Sequence, residues 1–414
     1  MQRYTSLSLV AVLVACGSKV DLGDANQHVS SKSNAPGGGS SEPGGAPGEA
    51  GGTHGGAGAT SGSGGSPGAA GGASVTADAG SSAIVGTSKS CDPISLERGV
   101  FNPCGRTSEI AYSLDGKLLA TATEDQPRGL HLWRLSDGQR LRDFAGTEGL
   151  DALGVAFSPD GKLLAVSGYG PIAALYDVAS GNQVRQIPVN CTEYVSSVAF
   201  SGDGAFLATG GENGPVEVWR VDDGALVTSI PRRGSVANLH FSPKGSNLIV
   251  DGATSPGAPD GSRPSATIFD IPDGTEGLTV GPIANEESDA MWSPDGAWIA
   301  STGDGDPPGS GGVLQIWDAT TGSLHQRLTG QPGWISNSVW VDQDRILTND
   351  WNGVIKSWSR QSMDLFAASQ EWRTPAQSLG LAVSPDKRTF VAGTGVAGAA
   401  SGNDLPEGFV FLAL

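Results

Sequence analysis

Histidine and cysteine are scarce in this 414-residue chain: five His and four Cys. A His- or Cys-rich metal site is therefore not expected, and no cofactor is implied. Basic residues are also few, with 25 Lys+Arg against 43 Asp+Glu and a net charge of −18. A nucleic-acid binder needs a basic face, so that class of partner is excluded. The one early apolar run, Leu7 to Ala15, is far short of the ~20 residues that cross a bilayer as a helix. Aromatics are missing from Gly17 to Ser90. No Gly-x-Ser-x-Gly nucleophile elbow occurs, and no dinucleotide fingerprint lies between a strand and a helix. Two residue types are plentiful instead: 63 Gly and ten Trp. So many Trp are incompatible with a wholly disordered chain.

The first sixteen residues have the layout of a secretory signal, with Arg3 ahead of the apolar run. They end Leu13-Val14-Ala15-Cys16, which resembles the lipobox of bacterial lipoproteins. That resemblance implies cleavage before Cys16 and its lipidation; the alternative is an ordinary signal peptide with a chance Cys. Several acyl chains on one residue hold a protein stably on a membrane. Gly17-Ser18 follow without an Asp, which by the same resemblance favours the outer membrane of a two-membrane bacterium. The expected localisation is export and lipid anchoring, with the folded head in the periplasm or at the cell surface. Residues 17–90 then read as a disordered Gly/Ala/Ser/Pro-rich tether: Pro36 to Gly72 holds 17 Gly in 37 positions. A flexible coil of that length spans ~45 Å.

Residues 91–414 repeat one phrase. It reads Ala-Tyr112-Ser-Leu-Asp115-Gly, Ala-Phe157-Ser-Pro-Asp160-Gly, Ala-Phe200-Ser-Gly-Asp203-Gly and His-Phe241-Ser-Pro-Lys244-Gly. It continues Met-Trp292-Ser-Pro-Asp295-Gly, Val-Trp340-Val-Asp342 and Ala-Val383-Ser-Pro-Asp386-Lys. Intervals of 45, 43, 41, 51, 47 and 44 residues separate the phrases. A fixed period of this size marks a propeller or a solenoid. Each phrase is an apolar strand entering a turn, where Pro presets φ and Asp-Gly supplies a side-chain acceptor and permissive backbone. A second strand follows (Lys117-Leu-Leu-Ala-Thr, Trp298-Ile-Ala-Ser), then a third bearing an aromatic (Trp133, Tyr176, Trp219, Phe269, Trp317, Trp358, Phe411), then a fourth. Four strands in seven units give about 46 residues per unit.

The array resembles the WD-repeat (WD40) β-propeller family, most closely at Leu314-Gln-Ile-Trp317-Asp318 and Asp350-Trp-Asn-Gly353-Val-Ile-Lys-Ser-Trp358. The implied fold is all-β: a seven-bladed propeller of four-stranded antiparallel blades. The expected blades are 105–146, 147–188, 189–231, 232–280, 281–329, 330–369 and 370–414. Only one unit ends in Trp-Asp and the family's Gly-His dipeptide is absent, so its buried His–Asp hydrogen-bond network is expected to be missing. The last unit lacks a fourth strand, and a strand near 94–99 is expected to close the ring and remove two free edges. Cys91 and Cys104 flank that strand. A bridge between them requires a chain reversal near Gly99 or Asn102-Pro103, because a fully extended strand would hold them too far apart. Cys191 lies in the loop entering the third unit.

In propellers of this kind one face gathers the loops between blades and those joining second to third strands. Here it should collect Tyr194, Arg232, Arg233, Trp334, Trp372 and Arg373, the residue types that dominate interface hot spots. The competing reading is that Trp334 and Trp372 cap the core. Asp304 and Asp306 faintly resemble an oxygen-rich calcium loop but lack its further acidic positions. His131, His240 and His325 are scattered over a third, a first and a fourth strand, and read as packed or solvated side chains. The expectation is a non-enzymatic, monomeric scaffold that docks a protein or peptide in the envelope. One alternative is a propeller enzyme or small-ligand protein using the central channel, as in lactonases and quinoproteins. Another is an outer-membrane assembly accessory. The head itself carries 38 acids and 21 bases, so a basic or neutral partner is favoured.

Overall fold

The computed structural model describes residues 91–414 except 124–128, 145, 148–150, 232–234, 244, 253–265, 282–286, 306, 308, 362–363 and 396–407, together with the backbone of 81–82 and 86–87. The described residues form seven sheets, each built on four antiparallel strands and two of them carrying a short parallel edge strand, and no α-helix. The innermost strands of blades 1 to 7 are Thr107–Tyr112, Ala152–Phe157, Val195–Phe200, Leu239–Phe241, Glu287–Trp292, Ile335–Asp342 and Gln377–Val383. Each neighbours the next, and the seventh neighbours the first, so the ring is closed around a channel. Apolar side chains fill the spaces between adjacent blades: Leu132, Phe144, Leu164 and Tyr176, for example, pack blade 1 on blade 2.

The repeated phrase forms the same turn in blades 1, 2, 3, 5 and 7. Ser113 Oγ donates to Asp115 Oδ1 at 2.8 Å and accepts the Leu118 amide at 2.9 Å, while Asp115 Oδ1 also accepts the Lys117 amide. Ser158 with Asp160, Ser201 with Asp203, Ser293 with Asp295 and Ser384 with Asp386 repeat the serine–carboxylate bond at 2.6–2.7 Å. The carboxylates are ordinary caps, held low by the hydrogen bonds they accept. In blades 1 and 2 the adjacent Lys117 and Lys162 contribute most, and Asp115 and Asp160 fall to about 2.

A second recurring bond ties third strands to second strands. The indole N–H of Trp133, Trp219, Trp317 and Trp358 donates to Thr121, Thr209, Ser301 and Thr348 at 2.8–3.0 Å. In blade 6 the relay continues, because Thr348 Oγ1 donates to Gln331 Oε1 at 3.0 Å and Gln331 Nε2 donates to the Val354 carbonyl at 2.7 Å. A buried polar relay is thus present without the Gly-His dipeptide, built on an amide.

Ring closure differs in detail from the sequence expectation. The closing strand is Val100–Asn102, not 94–99; Phe101 pairs with Val410 and Asn102 with Phe409 in the last strand, Gly408–Ala413. Residues Glu97 to Gly99 form the turn that precedes it, with the Gly99 amide bonded to the Phe411 carbonyl. That turn also reverses the chain, so Cys91 and Cys104 lie 5.1 Å apart at Cα and are joined by a disulfide. Upstream, Ile94 docks on blade 1 through its amide and the Gly138 carbonyl at 2.8 Å. Gly138 permits this approach: its φ is +73°, and a Cβ there would stand 2.1 Å from the Ile94 carbonyl oxygen.

Three other boundaries move. The outer strand of blade 5 runs to Gln331 and that of blade 6 from Phe366 to Arg373, so cuts at 329 and 369 fall inside strands. No turn residue interrupts 366–373 before Thr374-Pro375, and the strand continues until that signal. The tether expected to reach residue 90 contributes two dipeptides to sheet edges: Ser81–Ser82 pairs in parallel with Glu371 and Trp372, and Gly86–Thr87 with Val100 and Phe101. Cys16 and the remainder of the tether lie outside the described residues.

Candidate functional site

Two places gather side chains that could act on another molecule: the loop face and the channel.

On the loop face, Trp334 precedes the innermost strand of blade 6 and Trp351 sits in the turn between its second and third strands. Their rings lie 4.8 Å apart at 33°. Asp350 fixes both loops, accepting the amides of Gly333 at 2.9 Å, Asn352 at 2.9 Å and Val354 at 2.8 Å. The Trp351 amide bonds the Trp334 carbonyl at 3.1 Å. Burial outweighs these bonds and pushes the Asp350 carboxyl above its ordinary value. Tyr194 occupies the equivalent loop entering blade 3 and lies 5.8 Å from Tyr169, whose ring belongs to the corresponding turn of blade 2. The Tyr194 hydroxyl donates to Glu212 Oε2 at 2.7 Å, and Ser235 donates to the same oxygen. Burial, then the Glu212 carboxylate, raise the Tyr194 phenol. Both aromatic pairs therefore stand on loops held by backbone hydrogen bonds.

The other residues singled out from the sequence separate. Trp372 is 1% exposed and packs edge-on against Phe390 at 4.9 Å between blades 6 and 7; it is core, not surface. It lies in a strand rather than a loop, and its ring fills the space between blades 6 and 7. Arg373, next along, is exposed and donates to Glu371 at 2.8 Å. Arg232, Arg233 and Asp306 lie outside the described residues. Asp304 is buried and caps its own loop, accepting the amides of Gly305 and Gly309 at 2.8 and 2.6 Å. Among the described residues no three His, Cys, Asp or Glu converge as metal ligands.

The channel holds what sequence reasoning missed. A cavity of about 390 Å³ is lined by Glu109, Ser197, Asn238, His240, Asp289 and Asn337 among others. Except for His240, these residues stand three places before the aromatic of their phrase, a polar position in an otherwise apolar strand. That spacing was the readable signal. Asp289 is 2% exposed and bridges three blades: His240 Nε2 lies 3.1 Å from Oδ1, and Oδ2 accepts the amide and hydroxyl of Ser338 at 3.1 and 3.0 Å. Burial alone would lower the His240 pKa, but the bond and charge of Asp289, with Asp251 beyond, leave it raised. Glu109 carries the opposite case. It lines the cavity, and burial, reinforced by Asp289, pushes its carboxyl up to about 8 against one backbone bond from Ile110. The other histidines among the described residues are structural: His131 bonds Asp143 at 2.6 Å and Thr123 at 3.1 Å, and the His325 ring lies 4.6 Å from that of Trp298, tilted by 50°.

With this geometry in view, the likenesses to known proteins fall into place. Residues 181–220 match the sequence profile of the WD domain, G-beta repeat, and residues 110–193 that of the Anaphase-promoting complex subunit 4 WD40 domain. No curated protein matches the chain by sequence. Among solved structures it is similar to "Structure of U3-55K", with a TM-score of 0.63 and 16% identity over 75% of this chain and 95% of that one. "Crystal structure of RRP9 WD40 repeats" is similar to the same degree, with a TM-score of 0.62 and 16% identity over 75% and 94%. Blade geometry makes this a seven-bladed β-propeller, and two of its stretches match profiles of WD40 repeats. The profile matches span blades 1 to 3, and the other four blades share their strand order.

Proposed function

We propose that this chain is a lipid-anchored, non-enzymatic scaffold of a bacterial cell envelope that docks a protein or peptide on the loop face of its propeller. WD40-type propellers act as protein-interaction scaffolds as a class. The observation that carries the reading here is the pair of aromatic couples, Trp334–Trp351 and Tyr169–Tyr194, on loops fixed by hydrogen bonds. Rigid aromatics give large contact area at little entropic cost and anchor interfaces. The acidic head steers toward a basic or neutral partner. Anchoring rests on Cys16 and the residues before it, and the glycine-rich stretch gives the head reach.

The test is affinity capture from envelope extract with the full chain and with a Trp334→Ala, Trp351→Ala double variant. A protein retained by the native chain and lost from the variant supports the reading. No retained protein, or equal retention by both, overturns it.

A further inference from the structure

The channel lining contains Glu109 and Asp289 but no lysine or arginine; among the described residues its one cationic group is His240. That imidazole is already engaged. It sits on Asp289, whose second oxygen is taken by Ser338. Glu109, on the innermost strand of blade 1, has no counter-ion among the described residues: its carboxylate is supported by the Ile110 amide, with the Asp289 charge opposing its ionisation. The same cavity is lined by Asn238, Asn337, Ser196 and Ser197. The cavity, about 390 Å³, lies within the size range of small-molecule sites.

We propose that the channel is a binding site for a small organic cation, a primary alkylammonium group, with the Glu109 carboxylate as its counter-ion and the channel amides and hydroxyls as further acceptors. An anion would face two carboxylates and no Lys or Arg. A metal ion would lack a third converging ligand among the described residues. An ammonium group has three donors and no acceptor, which suits a lumen whose ionisable groups are mainly acids. The acidic surface of the head raises the local concentration of cations at either mouth.

Binding moves a proton. At pH 7 Glu109 is mostly the neutral acid, since its pKa stands at about 8. An ammonium ion entering the lumen stabilises the carboxylate, and the proton leaves to the buffer. Affinity therefore rises by roughly tenfold per pH unit up to about pH 8 and levels off above it.

The probe is butylammonium, with 1-butanol as the neutral control, titrated calorimetrically into the full chain at pH 7 in two buffers of different ionisation enthalpy. We expect saturable binding with a Kd on the order of millimolar, given so small a ligand. It should release close to one proton per site and be absent for butanol. Glu109→Gln, nearly isosteric, should weaken binding by about tenfold or more, while Val184→Ala, at an exposed position of an outer strand, leaves it unchanged. A second readout avoids any variant: butylammonium in the lumen should move the titration of the Glu109 carboxyl, followed by NMR, to lower pH. No saturable binding, equal binding by Glu109→Gln, or an unmoved Glu109 titration overturns the proposal.

Discussion

At the scale of the residue, the serine–carboxylate turns and Glu109 pull stability in opposite directions with pH. Asp115 and Asp160 are held at about 2, and Asp203, Asp295 and Asp386 are also lowered, so the folded state favours their charged forms. Their contribution is present above pH ~4 and is lost as pH falls toward 2. The melting temperature should therefore drop progressively over that acid range, measured by thermal unfolding in a pH series. Glu109 has a folded pKa near 8 against an ordinary 4.5, so the folded state binds its proton more tightly. Its stabilisation is complete below pH ~4.5 and fades as pH rises to about 8, and the raised His240 adds to the same decline. Glu109→Gln should flatten much of that alkaline limb, worth on the order of 1–3 kcal/mol after allowing for lumen water. The tryptophans divide as sharply. Trp372→Ala should cost about 3–5 kcal/mol in denaturant unfolding, as a truncated core aromatic does. Trp334→Ala should cost ~1 kcal/mol of stability yet weaken partner binding by roughly 2 kcal/mol.

At the scale of the element, closure is the weak seam. The strand Gly408–Ala413 buries Phe409, Val410, Phe411 and Leu412, and it is the only link between Val100–Asn102 and the rest of blade 7 among the described strands. Deleting 409–414 removes both ladders and leaves open edges on either side. The expected outcome is loss of a single cooperative unfolding transition; a truncated chain that still melts cooperatively would contradict closure by this strand. The Cys91–Cys104 bridge staples the closing segment from its other end, and replacing both by Ser should cost ~3 kcal/mol in the chain-entropy picture, read from denaturant midpoints without reductant. Strand order, turn chemistry and the aromatic of each third strand were legible, because they are local and repeat seven times. The closing strand was displaced by a few residues, because 91–104 belongs to no repeat and its path depends on a turn, a disulfide and Gly138 on another blade.

At the scale of the whole molecule, the composition resolves into parts with separate physics. Glycine serves a low-complexity stretch from 36 to 72 and, in the head, the turns after the first strands of blades 1, 2, 3 and 5, where Gly116, Gly161, Gly204 and Gly296 adopt φ near +70°. Acidity resides in the head, with 38 acids against 21 bases from residue 91 onward. The anchoring reading has a direct test: Cys16→Ser should move the protein from the membrane fraction to the soluble fraction and abolish the mass added by lipidation. The channel was not legible as a site, although its polar position recurs in the phrase. Glu109 and Asp289 belong to different blades, and nothing along the chain says that the first and fifth innermost strands face one another across a lumen.

The sequence alone determined the blade count, the strand period, the capped turns and the acidic charge, since each depends on contacts within about five residues or on composition. Tertiary structure alone decided which strand closes the ring, that Trp372 is core while Trp334 stacks on Trp351, and that Glu109, His240 and Asp289 share one channel. The reason is physical: near-identical repeats carry the same local signals, so only the order of packing around the ring distinguishes one blade's neighbours from another's.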